Sequence, residues 1–448
     1  MSSTPPFNPF FMFATGIDST APNIAGVRHD QMEKTGHYER WREDIDLVKD
    51  LGTRYLRFGP TIHRTYLGPD RYDWEHADAV FGHMRRLDIV PIVDLCRFGI
   101  PDWIGDSQNP DLPKLFARYA RAFAERYPWI QLYTPVNAIF LTALASAKVG
   151  LINEAMSDDA SFVTAIKHLS AASVLAMLEI LQVRPDAIFI QSERASYFHA
   201  DAPEVIGEAE RLNAMRFLAL DLIYGHRVDS GMYEFLRDNG VSREEYRFFM
   251  ETRLGRHCVL GTDYYPSNER RVAADGTRRP AGETLGFDDI VPQYYERYHL
   301  PVMHTETSAP QGMNSDEAVQ WLWKEWANAL RVRNNGIPLV GFTWFPLVDQ
   351  VDWSDTGPPI RAAGESEAAQ VNPVGLYDLN RRLRPVGEAY RQLIREWRHL
   401  LPAQSVCLLM PITLPSEYDE PMAQRRREII HRYYTQQPGE LPPNPFER

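Results

Sequence analysis

Eight short apolar segments, separated by longer amphipathic stretches, constrain the fold of this chain more than any other feature. Each segment is rich in β-branched or aromatic residues and apolar on both faces, which is typical of buried parallel strands. The stretches between them place apolar residues at helical spacing, as at Trp41, Ile45 and Val48. The eight segments cover residues 10–17, 54–59, 89–96, 129–137, 187–193, 258–265, 301–307 and 339–346.

Strands that alternate with helices in this way predict a (β/α)₈ TIM barrel with enlarged loops over residues 1–400. A doubly wound sheet is the alternative, but the Gly-rich nucleotide turn that often follows its first strand does not appear. Residues 401–448 are Pro-rich and contain a basic, helix-like piece at 422–434. We expect them to form an extension that packs on the barrel or on a neighbouring subunit, or else a partly ordered tail.

The bulk properties exclude several classes of partner. A formal charge of −12 argues against nucleic acid and anionic membranes, because both require a basic surface. The three cysteines form no CxxC pair, and the histidines form no HExxH, so we expect no metal and no cofactor. The N-terminus resembles no signal peptide, and we expect no membrane span. A cytoplasmic protein is the default expectation, and a homo-oligomer is compatible with it.

Polar side chains gather at the ends of the predicted strands. In a (β/α)₈ barrel the active site lies at these carboxyl ends. Carboxylates, aromatic rings, an arginine and an amide around one opening suggest glycoside chemistry, which needs two carboxyl groups beside the scissile bond. Glu306 suits a nucleophile, or alternatively a structural partner of Arg57. The side chains at the strand ends are Arg57, His63, Asp94, Arg97, Asn137, Gln191, Glu193, Asp263, Tyr264, Tyr265, His304, Glu306 and Trp344.

Six motifs, in order along residues 10–397, carry a more specific resemblance. They are "RYLRFGPTIHR", "YTPVNAI", "GTDYYPSN", "LPVMHTETSA", "GFTWFPLVDQVDW" and "VNPVGLYDLNRRLRPVGEAYRQL". Together they resemble the family 1 glycoside hydrolases, the β-glucosidase type of retaining (β/α)₈ enzyme. The second motif resembles that family's Thr-x-Asn-Glu-Pro, in which the Glu is the acid/base, and the fourth resembles its nucleophile strand.

This resemblance implies a role for several residues. Glu306 would be the nucleophile that forms a covalent glycosyl-enzyme, with Arg57 and Tyr265 as its hydrogen-bonding neighbours. Asn137 would bind the sugar 2-hydroxyl. A small carbohydrate or glycoside would be the partner, and further residues are predicted to bind it: Asp18, His63, Arg97, Glu193, Trp344, Asp352 and Trp353.

Ala138 occupies the position of the acid/base Glu in this resemblance. Three interpretations stay open: a natural relative that lost its acid, a deliberate Glu→Ala replacement, or an acid relocated to Glu193. The otherwise intact apparatus favours the replacement. The functional alternatives are a non-catalytic carbohydrate-binding relative and a (β/α)₈ enzyme of another chemistry, such as a metal-dependent one.

Further departures from the family pattern concern the sugar. Asp18 stands near the place of a Gln on the first strand, Arg97 replaces a His, and Asp352 replaces a distal Glu. Arg97 could pair with a substrate carboxylate, donate to hydroxyls, or neutralise Asp18 or Asp94. Glucose as the natural sugar is therefore in doubt, because a buried group that reads a hydroxyl discriminates strongly between sugars.

Overall fold

Eight parallel strands close into a barrel in chain order. In this computed structural model, which describes residues 11–353, 369–397 and 420–435, each strand pairs with its neighbours along the chain and the last pairs with the first. All eight predicted strands and the (β/α)₈ fold class are confirmed. The strands are β1 (Met12–Gly16), β2 (Tyr55–Phe58), β3 (Val90–Cys96), β4 (Leu132–Val136), β5 (Ile188–Arg194), β6 (Cys258–Asp263), β7 (Val302–Thr307) and β8 (Leu339–Trp344).

Helices surround this barrel. The amphipathic stretches between the predicted strands form helices. In chain order the helices are α1 (Gln31–Lys34), α2 (His37–Asp50), α3 (Ile62–Thr65), α4 (Glu75–Arg86), α5 (Leu112–Arg126), α6 (Ile139–Ala143), α7 (Asp159–Val183), α8 (Ile206–Met215), α9 (Leu218–Tyr224), α10 (Ser230–Asp238), α11 (Arg243–Thr252), α12 (Phe287–Tyr298), α13 (Ser315–Asn334), α14 (Pro385–Trp397) and α15 (Glu420–Thr435).

Short elements fill the loops between them. A π-helical turn, Leu144–Lys148, continues α6, and 3₁₀ turns lie at Pro203–Val205, Gly255–His257 and Pro266–Asn268. The loop strands pair as Asn23–Ile24 with Val27–Arg28, Tyr66–Gly68 with Arg71–Tyr72, Gln350–Val351 with Val371–Asn372, and Glu269–Val272 with both Tyr197–Ala200 and Arg278–Pro280.

The apolar residues form two layers of core. Inside the barrel, Met12, Ile92 and Met303 belong to one buried cluster, and Leu132 and Val259 complete its walls. This packing fills the barrel, so the interior is a core and not a channel. A larger cluster lies between the strands and the helices. Ligands can therefore be received only at an end of the barrel, where the loops diverge.

Helix α7 is long and apolar enough to cross a membrane by length and composition. However, 83% of its most apolar window is buried inside the protein. It packs against α5 and α9 in the helical layer. Its composition is therefore explained by its place in the core.

Helix α15 corresponds to the helix predicted at 422–434, and it packs on the outside of the barrel. Arg432 forms an ion pair of 3.0 Å with Glu251 on α11. The Tyr433 ring lies 4.7 Å from that of Phe248, measured between centroids. The rest of the predicted extension, including Cys407, and residues 1–10 lie outside the described residues.

Candidate active site

A cleft opens at the carboxyl ends of the strands, where the barrel fold places active sites. Its walls combine charged side chains from several strands with aromatic side chains from the loops. Among the described residues it is lined by Arg97, Phe98, Asn137, Ala138, Leu141, Arg194, Asp263, Tyr265, Glu306, Ser308, Phe345, Gln350 and Trp353.

Glu306, on β7, is held at the floor of the cleft by four donors. Its Oε1 accepts from Arg57 Nη1 at 2.5 Å and from Arg97 Nη1 at 2.7 Å. Its Oε2 accepts from Arg97 Nη2 at 3.0 Å and from the Tyr265 hydroxyl at 3.2 Å. Burial opposes ionisation, but the charges of Arg97 and Arg57 and their hydrogen bonds lower the pKa of Glu306 to about 2. Glu306 is therefore a carboxylate at any ordinary pH.

Arg57 and Arg97 connect Glu306 to two further buried carboxylates. Arg57 Nη2 donates to both oxygens of Asp94, at 2.9 and 3.1 Å. Arg97 Nε donates to Asp18 Oδ1 at 3.2 Å, and Arg97 Nη1 lies 3.6 Å from Asp94. Arg97 thus neutralises both carboxylates that the sequence suggested for it. Its bidentate bond to Glu306 was not anticipated.

A β-bulge turns Glu306 into the cleft. On the paired strands, Thr262 lies opposite His304, and the next residue, Asp263, lies opposite Glu306, so that Thr305 is the extra residue of β7. Such a bulge re-aims the following side chain. His304 accordingly lies on the outer side of the barrel, where its ring stacks on Phe287 with centroids 4.0 Å apart.

Asp263 was noted at a strand end in the sequence but was given no role there. The structure places its side chain in the cleft wall, 5% exposed, on the same face as Glu306. Asn268 Nδ2 donates to its Oδ1 at 3.2 Å. Burial and the negative charge of Glu306 raise the pKa of Asp263 to about 6, against the opposing charge of Arg194. The signal available in the sequence was its position directly at the end of the sixth strand.

Ala138 lines the cleft at the start of α6. Its φ is 46°, in the left-handed region, and its N–H donates to the Ser192 carbonyl oxygen at 2.9 Å. The methyl group belongs to a small apolar cluster with Phe98 and Ile152. The cleft is therefore apolar around residue 138.

Glu193 caps the start of α6. Its carboxyl oxygens accept from the backbone N–H of Ile139 at 2.7 Å and from that of Phe140 at 3.2 Å. The side chain is 2% exposed and is not among those that line the cleft. Burial raises the pKa of Glu193 to about 8, with the charge of Asp263 adding to the shift and the two backbone donors opposing it.

This raised pKa of Glu193 predicts a pH dependence of stability. The folded chain keeps the Glu193 proton that the unfolded chain loses above the ordinary value of 4.5. The free energy of unfolding should therefore fall as pH rises from that value towards about 8, by at most about 1.4 kcal/mol per pH unit. Urea denaturation across this range, compared with Glu193→Gln, measures it. A difference between the two proteins that does not change with pH would contradict the shift.

The other predicted sugar-binding residues lie away from this lining. His63 Nε2 lies 3.2 Å from Asp30, and the buried Trp344 donates from Nε1 to the Val374 carbonyl oxygen at 3.1 Å. Asp352 lies 3.3 Å from Lys34 Nζ. Asp18 lies below the cleft wall, where it accepts from Gln350 Nε2 at 2.7 Å. Of the predicted set, the cleft itself brings together Arg97, Asn137, Ala138, Tyr265, Glu306 and Trp353, with Arg57 directly beneath Glu306.

Phe98 and five further residues of the cleft wall were not selected from the sequence. Phe345 lies near the guanidinium group of Arg97, with its ring centroid 4.3 Å from the Arg97 Cζ atom. Arg194 donates from Nε to Asn268 Oδ1 at 2.6 Å. The remaining wall residues of this kind are Leu141, Ser308 and Gln350. Among the residues the structure describes, no group of three or more His, Cys, Asp or Glu side chains is placed to hold a metal ion.

No family model matches the chain. The 6-phospho-β-glucosidase AscB of Escherichia coli is 21% identical over 366 residues, which are 72% of this chain and 77% of that protein. β-Glucosidase A of Thermotoga maritima is 23% identical over 362 residues, 71% of this chain and 79% of that protein. The predicted resemblance to family 1 β-glucosidases is confirmed. These relatives support a β-glycosidase type of function.

Solved structures of family 1 β-glucosidases share the whole barrel. The T. maritima β-glucosidase in complex with N-octyl-5-deoxy-6-oxa-N-(thio)carbamoylcalystegine superposes with a TM-score of 0.71 at 17% identity, covering 87% of this chain and 98% of that chain. A family 1 β-glucosidase from the same organism gives a TM-score of 0.69 at 16% identity. In this barrel, Glu306, the predicted nucleophile, and Ala138, at the predicted acid/base position, line one cleft.

Proposed function

We propose that this chain binds β-glycosides in the cleft and forms a covalent glycosyl-enzyme on Glu306 with overall retention. The observation that carries this proposal is the buried, ionised Glu306 carboxylate on β7, held by Arg57 and Tyr265 at the floor of the cleft. A carboxylate nucleophile in retaining glycosidases needs this ionisation and this fixed orientation.

The first half of the reaction follows from the side chains present. An oxygen of Glu306 attacks the anomeric carbon while the bond to the leaving group breaks. Asn137 accepts from Arg57 Nη2 through Oδ1 at 3.0 Å, and this orientation leaves its amide group to donate to the sugar 2-hydroxyl. The leaving oxygen needs a proton, which the methyl group of Ala138 cannot supply. Leaving groups that are stable as anions need no such proton.

Arg97 raises the activation free energy of this step. Its two hydrogen bonds to Glu306 occupy lone pairs on both carboxylate oxygens. The attacking oxygen must give up part of this interaction as it bonds to carbon. A charge-assisted, bidentate pair of this kind is among the stronger hydrogen-bonded contacts in proteins. The proposal therefore includes displacement of Arg97 by the bound sugar.

The test uses dinitrophenyl β-glycosides, with glucose and galactose as the sugars, each with and without a 6-phosphate. Intact-protein mass spectrometry should show the mass of one glycosyl group added to the chain. Azide should shorten the life of this adduct and yield a β-glycosyl azide, because two inversions retain the configuration. The isosteric Glu306→Gln variant should show no adduct. An adduct on that variant, or an α-configured azide, would remove Glu306 from the role of nucleophile.

A non-catalytic carbohydrate-binding protein is the second candidate. Two observations favour it: residue 138 carries no acid, and each oxygen of Glu306 already accepts two hydrogen bonds. Calorimetry with the same sugars separates the two proposals. A sugar that binds while its dinitrophenyl glycoside gives neither adduct nor turnover would favour the binding protein.

A further inference from the structure

Asp263 is a second carboxyl group in the cleft, and the reaction proposed above gives it no role. The bulge in β7 places it opposite Glu306 in the register of two adjacent strands, and both side chains line the same cleft. Adjacent strands lie about 4.7–4.9 Å apart. Residues paired across adjacent strands are close neighbours, and a retaining pair requires its two carboxyl groups about 5–5.5 Å apart.

The surroundings of the two carboxyl groups are opposite in character. Glu306 receives two arginine side chains and one tyrosine hydroxyl, which favour its charged form. Asp263 is buried beside the negative Glu306, which favours its neutral form. In glycosidases, environments that push the pKa values of two neighbouring carboxyl groups apart distinguish the acid from the nucleophile. The titratable and charged groups around Asp263 are Glu193 and Arg194 on β5, Glu306 on β7, Arg97 after β3 and Tyr294 on α12.

We propose that Asp263 supplies the proton that residue 138 cannot, acting first as the acid and then as the base of the retaining reaction. This inference rests on the proposed function. In the first step, Asp263 gives its proton to the glycosidic oxygen as that oxygen leaves and Glu306 bonds to the anomeric carbon. In the second, the Asp263 carboxylate takes a proton from water as the water oxygen attacks that carbon. The Glu306–carbon bond then breaks, and both side chains return to their starting states.

The proposed role of Asp263 predicts how the rate of hydrolysis depends on pH. The first step needs Asp263 protonated and Glu306 ionised. Hydrolysis of a poor leaving group should therefore be fastest below about pH 6 and should fall as pH rises through that value. Formation of the adduct from a dinitrophenyl glycoside needs no proton, so its rate should not follow the same titration.

The experiment compares the unchanged chain with Asp263→Asn, an isosteric change that keeps an oxygen to accept from Asn268. The probes are a methyl β-glycoside and the dinitrophenyl glycoside of the sugar that labels the chain best. In Asp263→Asn, hydrolysis of the methyl glycoside near pH 5 should fall by about 10²–10⁴-fold, while the rate of adduct formation should change by less than about tenfold. Glu193→Gln is the matched control, because it makes the same carboxyl-to-amide change one strand away, outside the cleft lining. That control should keep the fall in rate through about pH 6.

The double variant Ala138→Glu/Asp263→Asn completes the design. A carboxyl group restored at position 138 should recover hydrolysis of the methyl glycoside, which a purely structural role of Asp263 would not allow. The proposal is overturned if Asp263→Asn hydrolyses the methyl glycoside as the unchanged chain does. It is equally overturned if the unchanged chain is labelled but never hydrolyses that glycoside, or if Asp263→Asn also loses labelling. Absence of labelling in the unchanged chain would instead remove the proposed function itself.

Discussion

Changing Ala138 to glutamate should raise hydrolysis of a methyl β-glycoside near pH 7 by about tenfold, because a group with a pKa of about 6 keeps its proton in only about one-tenth of the molecules at that pH. At that pH Asp263, with a pKa of about 6, is mostly ionised and is a poor proton donor. A new carboxyl group at position 138 would lie against Phe98 and Ile152. This apolar setting should keep it protonated to higher pH, because burial raises the pKa of a carboxyl group.

The backbone at position 138 should accept this change. Its φ of 46° costs alanine and glutamate a similar strain, since both carry a Cβ. The measurement is kcat/KM for the methyl glycoside, with the dinitrophenyl glycoside as a reference for a first step that needs no acid. Ala138→Gln is the matched control, with the same size and no proton to give. Equal gains in both variants would mean that packing, and not proton transfer, had limited the reaction.

A structure of the Ala138→Glu variant would test the stereochemical assignment. A separation of about 5–5.5 Å between the new carboxyl group and Glu306 is the retaining geometry. A separation above about 8 Å would leave room for a water molecule between them and would indicate inversion instead.

Replacing Arg97 with glutamine should lower the free energy of unfolding by about 3–5 kcal/mol, the usual cost of removing one partner from a buried ion pair. Arg57 and Arg97 together balance three buried carboxylates, namely Asp18, Asp94 and Glu306. Without Arg97, one arginine would face all three. The pKa of Glu306 should rise for the same reason, because Arg97 contributes the largest of the shifts that lower it.

Glu306→Gln is the informative control for this prediction. It removes one negative charge from the cluster and leaves two arginines with two carboxylates, so it should cost much less stability than Arg97→Gln. The double variant Arg97→Gln/Glu306→Gln should then be more stable than Arg97→Gln alone. Urea denaturation of the four proteins measures this cycle. A double variant that is less stable than Arg97→Gln would show that the balance of charges around Glu306 does not govern the free energy of unfolding.

The barrel could be predicted from the sequence because parallel strands buried on both faces produce continuous apolar runs, and eight such runs alternate with helices. The position of the site followed from the same argument, since the carboxyl ends of the strands share one end of the barrel. Glu306 and Arg57 were selected in this way, and they form a 2.5 Å ion pair at the cleft floor.

The orientations of individual side chains could not be predicted in this way. Trp344 ends β8, but it faces outward and donates to the Val374 carbonyl oxygen. His304 and Glu306 lie two residues apart and should share a face in a regular strand. The bulge at Thr305 separates them and aligns Glu306 with Asp263. A bulge leaves no signature in a single sequence, so the pairing of these two carboxyl groups required the structure.

The backbone N–H of Ile139 marks a second difference between this cleft and the family motif. In the family motif that "YTPVNAI" resembles, a proline follows the acid/base position, and a proline has no N–H. Here residue 139 is isoleucine, and its N–H donates to Glu193 at 2.7 Å. A single exchange of glutamate for alanine in an ancestor with that motif would have left the proline in place. Two adjacent differences, one of them tied into a buried hydrogen bond, therefore separate this chain from the motif, and a single exchange of glutamate for alanine does not account for both.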